Sequence, residues 1–116
     1  MLLLAALGGA LGAVLRHLVG EGALRLGIAA PLATLAVNVA GSFLLGWLAA
    51  SGVERRLWVL LGVGVLGGFT TFSTFSVQTL TLLDRAPLWA LAYVAGSVLM
   101  SLLAAWCGLV LGRAGA

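Results

Sequence analysis

Apolar residues in this chain do not alternate with polar ones; they run on. Four stretches, residues 1–18, 31–53, 57–83 and 87–111, are almost free of charge. A helix needs about 20 apolar residues to cross the hydrocarbon core of a bilayer, so each stretch predicts a membrane span. Pro31 and Pro87 each open a run, at the helical position where a missing amide hydrogen costs little. The pattern predicts an all-α integral membrane protein, one four-helix transmembrane domain filling residues 1–116, with a break in the third helix.

The break is predicted from Gly67-Gly68-Phe69-Thr70-Thr71-Phe72-Ser73-Thr74-Phe75-Ser76, in the middle of the third run. Paired glycines weaken a helix, and backbone groups freed at membrane depth must find partners in protein, water or ion. Such interruptions mark ion or substrate sites. Carbonyls freed around Gly67 to Thr70 could coordinate a hard cation such as sodium, while the Thr70 and Thr71 hydroxyls could cap the resumed helix. The two uses are compatible, since capping consumes amide hydrogens and ion binding consumes carbonyls.

Polar residues inside the other runs recur at helical spacing. Thr34, Asn38 and Ser42 are four apart and share a face, as do Tyr93, Ser97 and Ser101. Bonding between helices is the ordinary use of a single buried Ser or Thr. Asn38 carries two donors and an acceptor, and with two complete stripes it points instead to a pathway lining. After the break Phe72 and Phe75 share a face with Ser76 and Thr79. A Phe pair at this spacing usually only packs, but aromatic edges are positive and can hold a small anion without a full charge. A lining of donors with no fixed charge suits an anion that must also leave.

Composition narrows the class. The chain has 116 residues, 63% hydrophobic and 8% charged, against about a quarter charged in a soluble domain. It has no Lys, and its net charge of +3 is too small and scattered for a nucleic-acid surface. The first run lacks the basic front of a cleavable signal and is expected to remain as a helix. Cys107 is alone, which excludes an intrachain disulfide and a cysteine metal site. Arg16, near the end of the first run, either snorkels to the interface or anchors a vestibule or subunit contact. His17 beside it is expected at the interface.

Four thin helices enclose little, so a path through them implies oligomerisation. Gly8 with Gly12, Ser42 with Gly46, Gly64 with Gly68, and Gly108 with Gly112 have the small-residue spacing of close helix contacts. Arg55, Arg56 and Arg113 on one side balance Arg16, Arg25 and Arg85 on the other. With no excess to set orientation, the chain is expected to insert both ways and form a dual-topology antiparallel homodimer. A small dual-topology multidrug transporter is the main rival, but it needs a membrane-embedded carboxylate, and Glu21, Glu54 and Asp84 are all expected in connections. No catalytic constellation supports an embedded enzyme.

Three segments, in order, resemble the Fluc (CrcB) family of fluoride channels. Gly8-Gly9-Ala10-Leu11-Gly12-Ala13-Val14-Leu15-Arg16 is similar to GGxxGAxxR, Thr34 through Phe43 to TxxxNxxGSF, and Gly67 through Ser76 to GGxTTFSTFS. The resemblance implies an antiparallel dimer in a prokaryotic inner or plasma membrane, passively exporting cytoplasmic fluoride through two pores. It places Asn38, Phe72, Phe75, Ser73, Thr74, Tyr93 and Ser97 along the fluoride pore and Arg16 at a vestibule or interface. It also implies a structural sodium ion (Na+) on the backbone carbonyls of Gly67 and Thr70. Gln78 departs from the pattern, because many relatives carry Glu there.

Overall fold

The computed structural model describes residues 1–115 and, among them, contains helices and no strand. Helix α1 covers Leu2–Arg25 and α2 Ala30–Ala50. The third span begins as α3, Arg55–Leu57, continues as a π-helical stretch, Trp58–Leu66, and passes into α4, Gly67–Phe69. Helix α5, Ser73–Arg85, and α6, Pro87–Gly115, complete the described residues. Counting Arg55–Arg85 as one, four segments are long and apolar enough to cross a membrane. The longest dimension is 46 Å, comparable with a bilayer of about 40–45 Å including headgroups.

The helices outrun the apolar runs that announce them. α1 continues past Leu18 to Arg25, so Glu21 lies inside a helix rather than in a connection, and Asp84 likewise lies inside α5. Hydropathy marks where lipid begins and ends; backbone bonding marks where the helix does. His17 and Glu21 face each other one turn apart, Nε2 to Oε1 at 3.9 Å. α1 stops where Gly27 adopts φ +72°, with Ile28 N–H bonding to Ala23 O and Gly27 N–H to Leu24 O. α2 ends earlier than the run, at Ala50, before Gly52 at φ +69°. α6 extends beyond Leu111 to Gly115.

Two helix pairs carry most of the packing: α1 lies along the π-helical stretch and α4, and α2 along α6. Both close through glycine. A methyl on Gly64 would come within 2.8 Å of Gly8 Cα, and one on Gly12 within 2.8 Å of Phe69 N. On the other pair, a methyl on Gly108 would sit 2.8 Å from Trp47 N, and Gly46 meets the Ala105 backbone. Backbones this near gain dispersion contact that lipid tails cannot equal. The core proper is small. Tyr93, Ala90 and Val37 are its best-buried members, while Leu, Val and Trp side chains cover the outside. That distribution fits a chain whose solvent on the outer face is hydrocarbon.

Candidate functional site

Helical backbone ends at Phe69. Thr70 still donates its N–H to Leu66 O at 3.0 Å, and its hydroxyl donates to the same carbonyl at 3.0 Å. Its ψ of 158° then turns the chain out of the helix, and Ser73 starts the next one. Gly67 and Gly68, where the sequence places the weak point, are themselves helical. Gly68 is small for another reason: a methyl there would lie 2.5 Å from Gly9 O.

Three side chains close over the non-helical segment. Asn38 on α2 treats the Thr71 peptide as a partner strand would, accepting its N–H at 2.8 Å and donating Nδ2–H to its carbonyl at 2.9 Å. Thr71 Oγ1 accepts from Thr74 N–H at 3.2 Å and so caps the first turn of α5. Arg16 does not snorkel; its Nε donates to Gly68 O at 3.2 Å. Among the described residues no hydrogen bond reaches the carbonyls of Gly67 or Thr70. Nor do three His, Cys, Asp or Glu side chains gather anywhere among them. A cation at the break would therefore rest on backbone oxygen.

Two hollows flank this clasp. One, about 410 Å³, is lined by Arg16, His17, Glu21, Thr34, Thr74 and Gln78 among others. The other, about 490 Å³, is walled by Asn38, Ser42, Phe72, Phe75, Ser97 and Ser101, with Gly67 and Thr70 also on its margin. Thr71 belongs to both linings. The second hollow contains no charged side chain. It does hold spare donors. Ser97 Oγ is buried with no partner, and Asn38 keeps one amide hydrogen beyond the bond to Thr71.

The aromatic residues stand at the far wall. Phe75 is buried and its ring centroid lies 5.5 Å from that of Phe72 at a 50° tilt. Phe72, just ahead of α5, is 77% exposed on this single chain. Tyr93 lines neither hollow; its ring backs Phe75 at 5.1 Å, and its hydroxyl donates to Gln78 Oε1 at 2.7 Å. Ser73 also lies outside both linings, its hydroxyl 3.4 Å from that of Thr71. Ser76 and Thr79 spend their hydroxyl hydrogens on the Phe72 and Phe75 carbonyls. The structure thus gathers Asn38, Phe72, Phe75 and Ser97 in one hollow and Arg16 with Thr74 in the other. Sequence reasoning singled out these side chains but not the Thr71 peptide that Asn38 holds from another helix.

Comparison with known proteins covers nearly the whole chain. The profile of the family described as CrcB-like protein, Camphor Resistance (CrcB) matches residues 3–109. A protein of Caulobacter vibrioides (strain NA1000 / CB15N) named fluoride-specific ion channel FluC is 50% identical over 97% of this chain and 94% of its own. Its namesake in Rhizobium meliloti (strain 1021) is 49% identical, over 97% and 96%. That of Chelativorans sp. (strain BNC1) is 50% identical, over 97% and 95%.

Proposed function

This chain belongs to the CrcB family, a channel family rather than an enzyme family, and from that premise we propose that it is a fluoride-selective channel of the bacterial membrane. The observation that carries the reading is the uncharged hollow walled by Asn38, Phe72, Phe75 and Ser97, on a chain about half identical to proteins named as fluoride channels. Fluoride is small and strongly hydrated, so only closely placed donors can replace its water. Asn38's spare amide hydrogen, the Ser97 hydroxyl and the Phe edges supply them without a fixed positive charge that would trap the ion. Arg16 in the neighbouring hollow raises the local anion concentration from one side.

The working unit in this reading is an antiparallel homodimer with two pores. The second hollow is open along Phe72, and a second copy would close it. With Arg16 turned inward to Gly68 O, Arg25 and Arg85 at the helix ends face Arg55, Arg56 and Arg113, still a near balance for dual insertion. The unpartnered carbonyls of Gly67 and Thr70 fit a hard cation with oxygen ligands, and a sodium ion there would supply a fixed positive field and hold two copies in register. Reconstitution tests the proposal. Liposomes containing the purified protein should release fluoride and retain chloride; equal release of both, or of neither, defeats it.

A further inference from the structure

Helix α5 begins afresh after Phe72, so no continuous backbone bonding fixes its rotation relative to α4. Something else must aim the Phe75 ring. Phe75 and Gln78, three apart on α5, share one face, and Thr71 is tied to the start of that helix through its hydroxyl, which accepts from Thr74 N–H. Thr71 is held by Asn38 of α2, at the near end. Gln78 is held by Tyr93 of α6, at the far end, through the 2.7 Å bond from the tyrosine hydroxyl to Oε1. Phe75 sits between the two anchors with its ring 5.1 Å from the Tyr93 ring.

We propose, building on the channel reading, that Gln78 is a positioning residue whose bond to Tyr93 latches α5 to α6 and sets the angle at which Phe75 meets the ion. One consequence concerns Tyr93 itself. A phenol has a single hydrogen to donate. Committed to Gln78, it is not available to an anion. Tyr93 then serves the pathway through its ring, which buttresses Phe75 from behind, with Trp89 packed edge-on against it at 6.1 Å. The latch needs an acceptor at position 78, not a charge. Gln and Glu both provide one, and an aliphatic side chain does not.

The experiment compares Gln78→Leu, Gln78→Glu, Tyr93→Phe and the Gln78→Leu/Tyr93→Phe pair in planar bilayers, reading fluoride current and the fluoride-to-chloride permeability ratio. Dimer assembly is checked by size-exclusion chromatography. Losing one partly buried hydrogen bond should cut the current about two- to tenfold in Gln78→Leu and Tyr93→Phe alike. The pair should lose no more than either single variant, because both remove the same bond. Gln78→Glu should remain within about twofold of wild type, the loss expected when the bond is kept. Additive losses in the pair would show that the Tyr93 hydroxyl acts on the ion independently and overturn the latch. So would an undiminished Gln78→Leu, or a Gln78→Glu as impaired as Gln78→Leu. Absence of fluoride current in the wild-type protein would instead strike the channel reading itself.

Discussion

Replacing Asn38 by Asp changes one atom pair and reverses two interactions. In the native structure Nδ2 lies 2.9 Å from the Thr71 carbonyl and donates to it. In Asn38→Asp an oxygen stands there, two acceptors face each other, and the Thr71 carbonyl loses its partner. Leaving such a group unmet costs about 1–3 kcal/mol. The second effect falls on the ion. A carboxylate about 5 Å from fluoride, at an effective dielectric of about 20, repels it by about 3 kcal/mol. Each 1.36 kcal/mol is about tenfold in rate, so flux should fall by about two orders of magnitude. The assay is efflux from liposomes followed with a fluoride electrode at neutral pH. Asn38→Leu separates the two effects, since it removes both bonds to Thr71 and adds no charge; it should lower the melting temperature and impair flux less than Asp does. Asn38→Asp flux within about twofold of wild type would refute the placement of Asn38 on the pathway.

Phe72→Ile and Phe75→Ile should each sharply reduce fluoride efflux while the dimer still elutes intact, because aliphatic carbon lacks the positive ring edge; unchanged efflux in both would reduce the pair to packing. Exchanging sodium for a bulky organic cation throughout purification should lower activity or dimer stability, by scattering-detected chromatography, since Gly67 and Thr70 offer their carbonyls no other partner. Two Lys added after Arg113 should drive every copy to one orientation with termini in the cytoplasm and lower activity, restored by co-expressing a copy biased the other way. A terminal reporter showing a single orientation for the unmodified protein sinks that expectation.

The spans were readable because lipid imposes a length and a polarity that a sequence must display. The polar stripes were readable because a helix repeats every three to four residues: Asn38, Ser42, Ser97 and Ser101 all reach the same hollow. The departure from helix after Phe69 was misplaced by two to three residues, and the cause is specific. Glycine has two uses in a membrane helix, and at Gly68 the use is close approach to the Gly9 backbone. Where helical geometry ends is decided instead by Asn38 taking the Thr71 peptide, thirty-three residues away in sequence. Arg16 was ambiguous for the same reason: whether an arginine snorkels or turns inward depends on the helix beside it. Here α1 lies against α4, and Gly68 O is within reach.

The non-helical segment pairs some of its polar groups with other elements and leaves the rest open. Two amide hydrogens that the lost turn would leave bare are met close by: Thr71 N–H by Asn38 and Thr74 N–H by the Thr71 hydroxyl. Two carbonyls are met by donors from other helices, Gly68 by Arg16 and Thr71 by Asn38. What is left over is uneven. The surplus acceptors are main-chain oxygens of Gly67 and Thr70, at the margin of the uncharged hollow. The surplus donors are the Phe72 N–H, side-chain hydrogens of Asn38 and Ser97 in that hollow and the rest of the Arg16 guanidinium in its neighbour. A continuous helix could not make this division, because it would pair each carbonyl with an amide four residues on and neutralise both. A bound cation on the oxygens and a passing anion among the donors would then be complementary demands on one interruption, each removing a cost that the other leaves behind.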